Sequence, residues 1–345
     1  MKYLLLILLI SGKDTLAQNS KTGNYYKYIY KGEECILNSA LDSSSYYFSL
    51  AFKYVEFPFA RNIYNAAVVD AKLSKNEKVY NYLVYLLKLG ASYHQLFSDT
   101  SFKKFFLSDY GKKLIAFSEQ IKPTYNKYYR AQIEKLVKDD QYFRIKPNAN
   151  STYIDTIKAI DRQNIATFLS LNNKYGFPSE HEIGIDSNIF TLPLYALIIL
   201  HQSNGRLQQH NFDELLTKNI LDGKIENKIG AYLLNRLHGT TISAYEVIKF
   251  QFVKVKDTTM SASDPNNTTV IKETEWGYFP INEKEVNKVN IARSQIYLDG
   301  YYESIKKILF GLIHKEYRMF STGALTKQNY TSLTRFNSDK EKLVF

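Results

Sequence analysis

The segment NIYNAAVVDAKLSKNEKVYNYLVYLLKLGAS, residues 62–92, decides the fold class. Apolar residues recur every three or four positions on either side of the polar stretch LSKNEK. That is the spacing of two amphipathic helices, not the alternation of strands. Small residues (Ala66, Ala67, Ala71) line the first helix, and Leu83, Leu86 and Leu87 mark the second. Small facing large lets the two approach closely as a helical hairpin. The preceding stretch YYFSLAFKYVEFP, residues 46–58, is expected to close another hairpin.

Upstream, MKYLLLILLISGKDTLAQNS carries Lys2, an apolar run from Tyr3 to Ile10, and small residues at Thr15 and Ala17. This pattern predicts a signal peptide over 1–17, hence export to the periplasm or outside the cell. A retained interfacial anchor is the alternative. The run is far short of the roughly 20 residues a membrane helix needs, so no transmembrane segment is expected after cleavage. Cys35 is the only cysteine, which excludes an internal disulfide and a cysteine metal cluster. It reads as a small buried apolar residue.

Of the formal charge of +11, residues 18–150 carry a net +8 and residues 151–345 a net +2. The lysines responsible are dispersed among tyrosines, without an arginine cluster or an RNA-binding motif. A solvated lysine surface is expected, with weak contact to anionic envelope polymers and no nucleic-acid partner.

Helical periodicity continues to Arg144, broken by IKPTYN (121–126) and again by IKPNANS (145–151). Further helices follow. Asn211 with Glu214 three residues on signals an N-terminal cap, Gly223 a stop, and His238–Gly239 another exit. YEVIKFQFVKVK, SDPNNTT and VIKETEW (245–276) read as strand, turn and strand, a β-hairpin. A long helix is expected from about Asn282 to Arg318. The fold class is therefore mainly α. A helical-hairpin domain over 18–122 precedes a helical domain over 123–320 carrying one β-hairpin, then a loosely attached tail, 321–345.

Five ionisable residues sit where helical spacing puts the core face. Asp140 follows Ile133, Leu136 and Val137 by seven, four and three positions; His201 follows Leu194, Leu197 and Ile198 in the same way. Arg236 follows Ile229, Tyr232 and Leu233; Arg293 follows Val286 and Val289; Asp161 precedes Ile165 and Phe168. Burying unpaired charge is prohibitive, so these residues must pair or line a wet cavity. Each also has a plain reading. Asp161 can cap a helix starting at Arg162, Asp140 can pair with Arg144 on the surface, an arginine can snorkel, and a lone histidine can simply end its helix. The balance of two acids, two arginines and a histidine favours one shared polar centre.

The sequence contains no HExxH, no GxSxG and no phosphate-binding glycine loop, and its six histidines lack metal-ligand spacing. No metal and no cofactor are expected. The 62–92 hairpin resembles tetratricopeptide-type helical hairpins. DDQYFR (139–144), DRQNIATFLSLNNKYGFPSEHEIG (161–184), YALIILHQS (195–203), GAYLLNRLHG (230–239) and FPINEKEVNKVNIARSQIYLDGYYE (279–303) occur in this order. Together they resemble the bacterial family called domain of unknown function 6624, over roughly residues 125–311. The resemblance implies site positions at Asp140, Gln141, Arg144, Asp161, Gly176, Pro178, His201, Arg236 and Arg293. Two departures stand out: the family's Asp-Arg pair is Asn235-Arg236 here, and its following Tyr-Gly-Thr-Gln segment is not recognisable. The resemblance supplies positions and no activity.

Two functions are in view. The leading one is a binding module that meets an envelope or secreted protein through its hairpins and tyrosines, with a polar His/Arg/Asp pocket. The alternative is a metal-independent hydrolase of an anionic substrate. There His201 is general base, Asp140 or Asp161 orients it, and Arg236 and Arg293, with Arg144 and Gln141, bind the ligand.

Overall fold

The structure, a computed structural model, describes residues 20–186, 192–201, 212–237, 251–254, 274–277 and 283–319. The expected signal segment, the cap residues Asn211 and His238, and the 321–345 tail lie outside these. The chain is mainly α-helical. The hairpin read from residues 62–92 forms from helices Ala60–Lys72 and Asn76–Leu89, and Ser74 takes the left-handed conformation at its turn (φ 58°). Leu83, Leu86 and Leu87 pack in one cluster with Ala66, Ala67 and Ala71. Helices Lys21–Leu37 and Leu41–Ala51 precede them as another packed pair.

Every residue from Ala60 to Ala71 is buried, so this helix is wrapped on all sides. Its polar side chains must then find partners inside the protein. Tyr25 Oη, from the first helix, accepts from Asn62 Nδ2 at 2.8 Å and from Phe59 N at 3.2 Å. Asn65 Oδ1 accepts from Arg318 N at 2.7 Å, and its Nδ2 donates to Arg318 O at 3.1 Å. Arg61 lies 3.4 Å from Glu226, and Ala60 N donates to Glu180 Oε2 at 2.7 Å.

Two apolar clusters result. The first gathers the helices before residue 122 with Ile185 and, from the far end of the chain, Phe310, Tyr317 and Met319. The second gathers Tyr129, Ile133, Leu136, Phe168, Ile198 and their neighbours up to Leu298. The first cluster draws mostly on residues before 122 and the second on residues after it, but Ile185 and the C-terminal helix join the first.

Three expectations need correction. The single helix expected from Asn282 to Arg318 is two, Glu283–Ser294 and Tyr301–Ile313. Tyr297 turns between them at φ 59°, and Gly300 begins the second. Asp161 does not cap a helix starting at Arg162, because one helix runs through from Ile154 to Tyr175. Cys35 is partly exposed rather than buried. Ser179 caps a further short helix, Glu180–Ile183, and the His181 ring stacks on Phe57. Strands Gln251–Lys254 and Thr274–Gly277 pair antiparallel, with Phe252 opposite Trp276. The connection expected to make them a hairpin, 255–273, lies outside the described residues. No described helix is long and apolar enough to cross a membrane.

Replacing Asn65 by Leu keeps a similar shape and removes both of its hydrogen bonds to the Arg318 backbone. At about 0.5–1.5 kcal/mol per lost hydrogen bond, urea unfolding should reveal a clear loss of stability. An unchanged midpoint would mean that the C-terminal return is not held by this side chain.

Candidate functional site

Two helices and a short third build the site. Asn126 caps helix Lys127–Arg144 by accepting from Tyr129 N at 2.9 Å. Its buried face, Tyr129, Ile133, Leu136 and Asp140, carries the polar residue at the place the spacing predicts. Helix Ile154–Tyr175 packs against it, and Asn164 Nδ2 donates to Leu136 O at 3.1 Å, holding the two in register. Asp161, one turn before Asn164, thereby faces the end of the first helix. Gly176 terminates the second helix at φ 83°, a conformation that favours glycine, and its carbonyl accepts from Tyr129 Oη at 2.8 Å. The third element, Tyr195–Leu200, buries Tyr195, Ala196, Ile198 and Ile199 and ends on His201, whose N–H donates to Leu197 O.

His201 Nδ1 lies 2.8 Å from the Asp140 carboxylate. Asp140 is 3% exposed, so it must be paired, and two further groups serve it. Gln141 Nε2 donates to Oδ2 at 2.6 Å, and Arg144 Nε approaches the same oxygen at 3.4 Å. Arg144 Nη2 reaches on to Asp161 Oδ1. The result is a chain: His201, Asp140, Arg144, Asp161.

Burial pushes the Asp140 carboxyl up. The hydrogen bond and charge of His201, with Gln141 and Arg144, more than offset this and hold it below the usual carboxylate range. Burial also raises Asp161, and Arg144 only partly counters it. An ionised Asp140 accepts only, so Nδ1 of His201 carries a proton in this contact. The His201 side chain is 23% exposed while its partner is sealed.

The two arginines expected beside His201 are elsewhere. Arg236 is exposed, and its guanidinium stacks over Tyr232 at 5.3 Å. The buried face of its helix, Asn227–Leu237, is centred on Gly230, Leu233, Leu234 and Leu237, which puts the Tyr232/Arg236 column at the rim. The preceding residue, Asn235, is the one buried.

Arg293 is buried as expected, 4% exposed, but it answers a different acid. Its Nε donates to Asp299 O at 2.7 Å, and its Nη2 reaches Asp299 Oδ1 at 3.1 Å and also Ser304. Lys307 bridges Asp299 and Glu33, 2.8 Å from each, and Lys228 meets Glu33 at 3.0 Å. Burial alone would raise Asp299, but Lys307 and Arg293 hold it far below the ordinary carboxylate range. This network ties the first helix to the C-terminal helices.

Sequence reading missed Glu180 and Glu226. No periodicity marks them, because each meets the central helix from a loop or a short helix. Burial, with Glu226 nearby, pushes the Glu180 carboxyl up to about 7, against the Ala60 N–H that favours its charge. The cavity beside them is about 30 Å³, room for one water and not a substrate. Among the described residues no group of three or more His, Cys, Asp or Glu is placed to hold a metal ion.

The lowered pKa of Asp140 fixes a sign. Such a carboxylate stabilises the fold above its unfolded value near 3.9, and that contribution is lost as pH falls through the lower native value. Asp140→Asn should therefore cost stability at pH 7, and the gap to wild type should narrow below about pH 4. Denaturant titrations at several pH values test this; a gap that does not change with pH would contradict it.

Compared with known protein-family models, curated proteins and solved structures, the chain finds no match.

Proposed function

We propose that this protein is an exported enzyme in which His201, oriented by Asp140, acts as the general base of a hydrolytic reaction. The carrying observation is the 2.8 Å contact from His201 Nδ1 to a buried carboxylate that is held ionised. In this reading Nε2 takes a proton from a water or hydroxyl as its oxygen attacks. Asp140 then balances the imidazolium. Gln141 and Arg144 are positioning residues that keep the Asp140 carboxylate fixed. The segment 125–311 is read as a diverged member of the domain of unknown function 6624 family, whose motif positions include this chain of residues. Arg236 and Arg293 have no part in it, since one is exposed and the other is engaged with Asp299.

The experiment is a hydrolase screen with phosphorylated, peptide and glycan substrates, using wild type, His201→Ala and Asp140→Asn. General-base catalysis is worth roughly a hundred- to ten-thousand-fold. Both variants should lose turnover on that scale with KM little changed. Equal rates for wild type and His201→Ala would remove the reading.

A second function has its own support at the other end of the molecule. Tyr28 stacks with Tyr47 and with Tyr54, and Lys31 lies over both Tyr28 and Tyr47. Tyr46, 62% exposed, packs edge-on against Tyr47. Aromatic rings interleaved with lysine suit a protein-recognition surface on tetratricopeptide-like hairpins. An envelope protein retained by immobilised wild type should be released by a Tyr46→Ala/Lys31→Glu double variant. Retention by that variant would exclude this surface.

A further inference from the structure

The C-terminal helix Tyr301–Ile313 and the residues after it border a half-open pocket of about 310 Å³ against the first helices. Its walls are Ile36, Leu37, Leu41, Phe310 and Tyr317, and Lys72 supplies the one ammonium in the lining. A cavity of this size sits at the small end of ligand pockets, and apolar walls with few polar groups are their usual make-up. A water's share of liquid volume is about 30 Å³, so the space takes about ten such groups. A single short chain fits; a two-chain lipid does not.

The polar groups say which end of the ligand goes where. Lys72 Nζ donates to Glu316 Oε1 at 2.9 Å and lies 4.6 Å from the Tyr317 ring centre. An ammonium has three donors, so one direction is left for an incoming acceptor. The side chain is 40% exposed, which keeps the charge at the mouth and not inside. His314, also in the lining, stacks on Phe310 and has its Nδ1 3.7 Å from Glu316. No carboxylate belongs to the lining; Glu316 stands behind Lys72 as a competitor for the same ammonium. The N-terminal part as a whole is strongly basic, which favours anions at this surface.

We propose that this cavity binds a small amphiphilic monocarboxylate, its chain of about eight carbons against Ile36, Leu41 and Phe310 and its carboxylate on Lys72. The site lies on the first apolar cluster and is independent of His201.

Octanoate is the probe, titrated calorimetrically into the full-length protein beside 1-octanol and octylamine. Octanoate should bind saturably, and octylamine should not. Lys72→Met should weaken octanoate about tenfold, the weight of one charge-assisted hydrogen bond. Glu316→Gln should tighten it, because it removes the competing acid; both positions are partly exposed, so the fold is expected to survive either change. Leu41→Trp, which fills the space, should abolish uptake while circular dichroism stays unchanged. Equal binding of octylamine, no binding by the full chain, or identical affinities in wild type and the Lys72 and Glu316 variants would each overturn the assignment.

Discussion

A helix buried on every side cannot leave its polar side chains to water. Residues 60–71 form such a helix, and their needs organise much of the molecule. Tyr25 serves Asn62, the backbone of Arg318 serves Asn65, Glu226 faces Arg61, and Glu180 takes the first N–H. These partners come from the start, the middle and the end of the chain. Apolar contact draws the helices together without specifying direction. Asn62, Asn65 and the first N–H of the central helix do specify it, through the partner each one takes.

The same reasoning explains the charged network at the other side of the first helix. Glu33 is fully buried and would be prohibitive alone. Lys228 and Lys307 make it tolerable, and Lys307 then commits Asp299, which commits Arg293. Such a network adds little net stability over apolar packing, but breaking it is costly, so it fixes where helix 301–313 lies. That placement also borders the pocket at Lys72.

How much of this could be read from the sequence depends on range. The hairpin at 62–92 was legible because its signal, small residues against leucines, is local and periodic. Asp140, Asp161 and His201 were legible for the same reason: each interrupts an apolar stripe on its own helix, and all three are found together. Arg236 and Arg293 carried the same mark and went elsewhere. Periodicity gives the face of a helix but not what that face meets, and a residue at the edge of the stripe can turn outward, as Arg236 does over Tyr232. The true partner, Arg144, lay on the same helix as Asp140. Glu180, Glu226, Glu33 and Lys307 answer residues far away in sequence, and nothing local reveals that.

The difference matters for chemistry. Two arginines at His201 would have made the site a clamp for an anion and would have favoured a neutral imidazole by repulsion. In the arrangement found, Asp140 sits on Nδ1 and Arg144 is held by the two acids it spans. That single contact, with no arginine clamp beside it, is what the proposed general-base reading rests on. The same contact also gives a structural reason for the apolar run 195–200 to end in histidine. A lysine at that position would satisfy the charge of Asp140 but could not return a proton near neutral pH.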